Sequence, residues 1–423
     1  MGQTEGRPVF KNERLLLRFA IGLLLLAGLV FGINWLRSFG QDPDVVLTAD
    51  TKGMMAALQF DGDGTKVVLF DAEGKKTDVP GWAQGNHDQM PVWRPDGQRL
   101  FFSSDREDGA FHIFRFRPGG DKPERRSVGS RSKGTPWFGP AGYPEVNTTA
   151  IIVAGGSEVG AVCEYTARDG SIRQIIPPTG DISTGEEGGT VNQSTVLYSR
   201  IGESFKSAKW GKDRRFVIAT MKREDGDILL IQDFEPDAQG KMQPPVPVAA
   251  GNNITFDVGP NGAVTICVQG FQWIDPENIP EEFIKDGKAV RPFAHGVIYI
   301  DPSKPGSSKV IFATSDDKSM LAFPVVSPDG TQVLYSNGRV GESGEFEPLQ
   351  LIVAKPGESA AEGAAITPHG VYEAAWTPDS KAILYVRPLG GIRPIFQVDP
   401  ADGTEKRLTH DDGEYAFPTL SPQ

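Results

Sequence analysis

The stretch Val325-Val326-Ser327-Pro328-Asp329-Gly330, followed by Gln332-Val333-Leu334-Tyr335, decides the architecture because it is not alone. Val92-Trp93-Arg94-Pro95-Asp96-Gly97 precedes Arg99-Leu100-Phe101-Phe102, and Ala375-Trp376-Thr377-Pro378-Asp379-Ser380 precedes Ala382-Ile383-Leu384-Tyr385. In each copy a proline presets one backbone angle, an aspartate caps the turn with its side chain, and glycine takes a positive φ in the two Gly copies. Short apolar strands flank the turn on both sides, so each copy reads as the first hairpin of a repeated antiparallel unit. A unit of roughly fifty residues holding several strands is the signature of a β-propeller blade.

Outward from these turns the pattern supplies two more strands per unit. The third strand reads FHIFRF over residues 111–116 and PIFQV over 394–398. A fourth follows an Asp-Gly turn, as in Asp402-Gly403 before Glu405-Lys406-Arg407-Leu408-Thr409. Degenerate first turns stand at Trp210-Gly211-Lys212-Asp213 and Gly259-Pro260-Asn261-Gly262, with second strands over 215–219 and 263–268. Residues 149–154 and 162–166 suit two strands of a further unit. Long intervals carry insertions at 180–191 and 275–296.

The chain ends complete the count. The first repeat begins directly at a second strand, residues 55–60, with 66–70 and 76–79 following. The last segment, Tyr415 to Gln423, is a lone first strand that stops inside the turn motif. The expectation is an all-β, seven-bladed β-propeller over residues 53–423, with six blades if the region near Pro144 is not one. The C-terminal strand would complete the N-terminal blade and close the ring, which removes free edges.

Residues 19–36 form an apolar run containing Leu23-Leu24-Leu25-Leu26, at about 18 residues just long enough to cross a bilayer as a helix. Arg7, Lys11, Arg14 and Arg18 precede it and Arg37 follows, so the positive-inside bias places a cytoplasmic tail at 1–18 and the remainder outside. The exit, Asn34-Trp35-Leu36-Arg37-Ser38-Phe39, lacks the small-residue cleavage site of a signal peptide, which favours an uncleaved single-pass anchor with a linker at 37–52. Gly28 and Gly32 carry the spacing that permits close helix packing. In a Gram-negative cell the propeller would then sit in the periplasm, at the inner membrane.

Composition narrows the function classes. Across 423 residues the formal net charge is −12, which argues against a nucleic-acid partner. The two cysteines, Cys163 and Cys267, sit in apolar runs and read as buried thiols rather than a disulfide or metal pair. No Gly-x-Ser-x-Gly elbow, phosphate loop or zinc spacing is present; Gly155-Gly156-Ser157-Glu158-Val159-Gly160 breaks the elbow pattern. Trp93, Trp210 and Trp376 share one repeat position and read as packing between neighbouring units.

One constellation carries chemistry. The segments leading into each first strand hold His87-Asp88, Asp316-Asp317, His369 with Glu373, and His410-Asp411-Asp412 with Glu414. These segments should open around one mouth of the channel, where imidazoles and carboxylates could hold a divalent cation or a cationic peptide. The alternative is that they are solvated turn residues. The insertion from Phe271 and Trp273 through Ile279 and Phe283 adds apolar side chains to a loop, suited equally to recognition and to local capping.

The Ser-Pro-Asp-Gly turn, the third strand, the turn Asp399-Pro400-Ala401-Asp402-Gly403 and the closing Arg407-Leu408-Thr409 resemble the TolB-type propeller repeat. The resemblance implies a periplasmic, partner-binding propeller, although the α/β domain that precedes the TolB propeller has no counterpart here. A related propeller repeat, that of the oligogalacturonate lyases, implies a metal at the channel mouth. The expected function is therefore a non-catalytic interaction scaffold or accessory subunit of a membrane or envelope complex, with no cofactor. The alternative is a metal-dependent, lyase-like carbohydrate-active enzyme using the channel mouth.

Overall fold

Tight turns with built-in caps and short apolar strands leave the backbone little choice but antiparallel hairpins, and the computed structural model consists almost wholly of them. It describes residues 53–422 except 128–131, 135, 139–148, 157–158, 167–171, 177–203, 213–214, 234–237, 240–244, 305, 316–318, 343–344 and 369. The expected anchor, residues 19–36, and the 180–191 insertion lie outside the described residues. Among the described residues no helix is long and apolar enough to cross a membrane.

Strands β1 (Met55–Asp61), β2 (Gly64–Phe70) and β3 (Lys76–Asp78) open the fold. A second sheet holds β4 (Val92–Trp93), β5 (Leu100–Ser104), β6 (His112–Phe116) and β7 (Glu124–Arg125). A third holds β8 (Thr149–Gly156), β9 (Val159–Thr166) and β10 (Ile172–Ile176). Next come β11 (Ser204–Trp210), β12 (Phe216–Arg223), β13 (Gly226–Asp233), β14 (Val246–Val258) and β15 (Val264–Gln269). A small hairpin, β16 (Ile284–Lys285) and β17 (Lys288–Ala289), precedes β18 (His295–Ile300) and β19 (Lys309–Thr314). Two further sheets follow: β20 (Met320–Val326), β21 (Val333–Val340), β22 (Phe346–Ala354) and β23 (Ala364–Ala365), then β24 (Tyr372–Trp376), β25 (Ile383–Val386), β26 (Ile395–Val398) and β27 (Glu405–Arg407). The last strand is β28 (Tyr415–Leu420).

Strand β28 joins the first sheet, in the order β28-β1-β2-β3, and pairs antiparallel with β1 from Met55 opposite Leu420 to Gln59 opposite Tyr415. The chain's first and last strands are thus neighbours, as the repeat pattern predicted. The seven-stranded sheet β11-β12-β13-β14-β15-β18-β19 departs from the simple repeat. Its 13-residue β14 serves as the outer strand for β13 with its first half and as the inner strand for β15 with its second.

The turns form as their sequences dictate. Gly97 N–H donates to Arg94 O at 2.8 Å and Gly330 N–H to Ser327 O at 2.8 Å, with φ of 68° and 72°. Ser380 closes its turn onto Thr377 O at 2.9 Å although it is not glycine, at φ 60°. Asp329 Oδ1 accepts from Ser327 Oγ at 2.6 Å, and Asp379 Oδ1 accepts from Thr377 Oγ1 at 2.7 Å. These turns touch their neighbours. A Cβ added to Gly330 would meet Pro260 at 2.8 Å, one added to Gly262 would meet Lys212 at 2.6 Å, and one added to Gly97 would fall on the Pro422 carbonyl.

Successive sheets share apolar cores. One cluster joins the β1 sheet to the β4–β7 sheet through Leu58, Val67, Trp93 and Phe102. Others join β9 to β11–β13, the two halves of the seven-stranded sheet, β15 and β18 to β20–β22, and the β20 sheet to the β24 sheet. A further cluster joins the β24 sheet back to the first through Met55, Val68, Leu384 and Tyr415. Each buried Leu, Val, Ile or Phe in these seams contributes roughly 1.5–3 kcal/mol relative to exposure. Two of the repeated tryptophans also tie neighbouring inner strands: Trp376 Nε1 donates to Val325 O at 2.9 Å, and Trp93 Nε1 to Thr419 O at 3.4 Å. Cys267 is a buried free thiol, its pKa driven upward by burial.

Candidate functional site

In each four-strand unit the link into the first strand and the connection between the second and third leave by the same edge. That edge carries every described residue of the His and carboxylate constellation, and also the insertion. The structure engages most of these groups internally. Asp88 is buried: its carboxylate takes Arg106 Nη2 on both oxygens at 2.8 Å and the Val67 N–H at 2.9 Å. Arg106 in turn lies over the Phe102 and Phe114 rings, at 4.9 and 5.3 Å to the centroids. His87 Nδ1 stands 3.1 Å from Asp105 Oδ2, and its Nε2 3.0 Å from Asp63 O.

Asp411 accepts from Lys76 Nζ at 2.6 Å and from Tyr415 Oη at 2.7 Å. Partial burial works to raise its pKa, but these two donors outweigh it and the net shift is downward. Glu373 Oε2 accepts the Phe417 N–H at 2.9 Å, and Oε1 lies 3.5 Å from Arg393 Nη2. Burial pushes its carboxyl above the usual carboxylate range, against the pull of those two donors. His410 and Glu414 are exposed, and the Glu414 carbonyl accepts from Phe60 N at 2.9 Å. Asp316, Asp317 and His369 lie outside the described residues. Among the described residues no group of three His, Cys, Asp or Glu is arranged to hold a metal ion.

The insertion between β15 and β18 folds on itself. Phe293, Phe271, Trp273 and Phe283 form a ladder of ring contacts at 4.7, 5.4 and 5.2 Å. Trp273 Nε1 donates to Val290 O at 3.3 Å, and Gln272 bonds to Ala250 O and Asp225 O on the neighbouring half-sheet. Phe271, Trp273, Ile279 and Phe283 are half-buried; Ile274 and Ile284 are the exposed apolar residues here.

A second pattern at this edge was in the sequence but escaped the motif reading. Met90-Pro91, Phe323-Pro324 and Phe417-Pro418 occupy one repeat position, each beginning five residues before the proline of the turn motif (Pro95, Pro328 and Pro422). Met90, Phe323 and Phe417 are 48, 49 and 38% exposed. Phe323 and Phe417, with Asn253 and Glu373, take φ of 48–55°, where an ordinary residue loses roughly 1–2 kcal/mol. Each marks a register shift in its inner strand. The bulge sends its N–H sideways: Phe323 N–H donates to Thr255 Oγ1 at 3.0 Å and Phe417 N–H to Glu373, each on the preceding inner strand. Proline suits the next position because it has no N–H to leave unpaired. Beside Phe417, Arg393 lies between the exposed rings of Phe60 and Tyr372, at 5.6 and 5.5 Å. The edge therefore presents exposed apolar side chains, two of them, Phe323 and Phe417, on strained backbone.

No protein-family model matches the chain, and no curated protein sequence matches it. Solved structures do. An oligogalacturonate lyase in complex with manganese aligns at TM-score 0.52 and 11% identity over 86% of this chain and 87% of its own. A puromycin-hydrolysing peptidase of Mycobacterium tuberculosis aligns at TM-score 0.51 and 10% identity, over 84% of this chain and 53% of its own. TolB of Acinetobacter baumannii aligns at TM-score 0.48 and 13% identity, over 89% of this chain and 68% of its own. At such identities the likeness is one of fold. The chain is an all-β protein of the β-propeller type, with TolB-like proteins, lyases and peptidases among its structural neighbours.

Proposed function

We propose that this protein is a non-catalytic interaction platform: a seven-bladed propeller tethered by residues 19–36 at the periplasmic face of a bacterial inner membrane. In this reading its bulged edge binds a protein subunit of a membrane or envelope complex. The observation that carries the reading is the repeated exposed apolar position, Met90, Phe323 and Phe417, with Tyr372 and Arg393 beside it. Large apolar and Arg side chains on a rigid frame are the composition of binding hot spots. Holding Phe323 and Phe417 at left-handed φ costs folding free energy, the kind of strain that clusters at binding sites. A tether would raise the effective concentration toward a membrane-bound partner.

The test is gentle solubilisation of the full chain from its own membrane, with the co-purifying proteins followed through a second purification step. A stoichiometric partner is expected, lost in a Phe323→Asp/Phe417→Asp variant and retained in a His87→Ala/His410→Ala variant. A lone chain carrying a tightly held divalent metal, released by the histidine substitutions, would overturn the reading in favour of metal-dependent carbohydrate chemistry.

A further inference from the structure

A cavity of about 700 Å³ opens at the opposite edge, between the two halves of the seven-stranded sheet. It lies between the start of β14 and the β18–β19 connection, at the edge opposite the His and carboxylate constellation and the insertion. Its floor is made by Phe216, Ile231 and Ile300, which belong to the buried seam between the half-sheets, with Val248 packed against them. Val246, 56% exposed, stands at its mouth. Such a volume is in the range of small-molecule sites, which are mostly apolar with a few polar groups at the rim.

Among the described residues the charges at the rim are paired. Arg215 Nη2 lies 3.2 Å from Asp233, and Lys304 Nζ lies 2.8 Å from Asp301. Asp301 also accepts from Ser303 N–H and Oγ, at 3.1 and 2.6 Å, and Ser307 Oγ bonds back to Asp301 O at 2.7 Å. A charged ligand would have to break one of these pairs, whereas an uncharged chain needs only the apolar floor. We infer that this cavity is a binding site for the alkyl chain of an uncharged or zwitterionic amphiphile. The chain would come from a free long-chain alcohol or from a lipid.

The full chain in phosphatidylcholine nanodiscs is photolysed in separate samples with a diazirine-bearing long-chain alcohol or with phosphatidylcholine carrying the diazirine in one acyl chain. Labelled peptides are then mapped by mass spectrometry. Label is expected on peptides containing Val246–Val248 and Ile300–Ser308, above the level on the peptide containing Phe417. The alcohol probe alone would assign a free amphiphile, and the lipid probe a bilayer source. Val248→Trp, which fills the cavity, and Val246→Asp, which charges its mouth, should each lower that label about tenfold. Val246→Asp alters an exposed side chain, so it remains decisive if Val248→Trp unfolds. Label from neither probe above the Phe417 peptide, or label unchanged in a folded variant, overturns the proposal.

Discussion

Asp88 shows at the residue scale how an acidic group in a functional-looking loop becomes part of the frame. It is buried, bonded on both oxygens by Arg106, and it ties β2 to the link that enters β4. Removing one member of such a pair leaves the other uncompensated, so Asp88→Ala should destabilise the fold by about 3–5 kcal/mol in urea denaturation. An Asp88→Leu/Arg106→Leu variant should recover a good part of that loss. Two other carboxylates set opposite pH dependences. The Thr377 hydroxyl, with the Lys381 N–H, holds the Asp379 pKa low against slight burial. The folded state therefore gives up that proton more readily than the unfolded one. Its contribution is full above the ordinary aspartate value of about 3.9 and is lost as pH falls through the depressed one. Glu373 is raised by burial, so its contribution is present below the ordinary glutamate value and is lost as pH rises through the raised one. Urea midpoints followed from about pH 2 to 7 should show Asp379→Asn flattening the acid limb and Glu373→Gln removing the opposing slope. An unchanged profile in either variant would refute that assignment.

At the scale of the element, the insertion is a folded cap rather than a string of free aromatics, because its four rings contact one another edge-on or tilted and Phe293 joins them to the seam below. Trp273→Ala should open the ladder. Tryptic cleavage at the exposed Lys285 and Lys288 should then rise severalfold, while the melting temperature of the sheets falls by only a few degrees. Simultaneous loss of both would mean the cap is integral to the half-sheet beneath it. The inner and second strands were legible in the sequence because Pro-Asp-Gly turns are local: Pro, Asp and Gly act within four residues. The pairing of β28 with β1 was legible because a repeat lacking its first strand met a first strand lacking its repeat. The shared strand β14 was not, since nothing in Val246 to Val258 marks where one sheet ends and the next begins. The engagement of the acidic constellation was hidden for a related reason: Lys76 reaches Asp411 across 335 positions. The Phe-Pro positions were in plain view, but their exposure goes with the bulge, which hydrophobic periodicity does not encode.

For the whole molecule, the decisive contact is that between β1 and β28, reinforced by Ser421 N–H to Met54 O at 2.8 Å and Ser421 Oγ to Gly97 O at 3.0 Å. A chain ending at residue 414 lacks this strand and leaves the inner edge of β1 open. Such an edge invites pairing with another chain. The truncated protein should lose cooperative unfolding and elute as soluble oligomers or aggregate, whereas a Phe417→Ser full-length variant should stay monodisperse. A truncated chain that unfolds as sharply as the intact one would show that the β1–β28 pairing contributes little. The same contact also has a consequence in time. Strand β1 leaves the ribosome early, but its partner strand is some 350 residues further along, which at about 5–20 residues per second is a delay on the order of tens of seconds. Throughout that interval the first sheet is incomplete on its inner side. The nascent chain therefore travels with an unpaired strand near its start, and whatever escorts it during synthesis must keep that edge from pairing with a stranger until residue 420 has emerged.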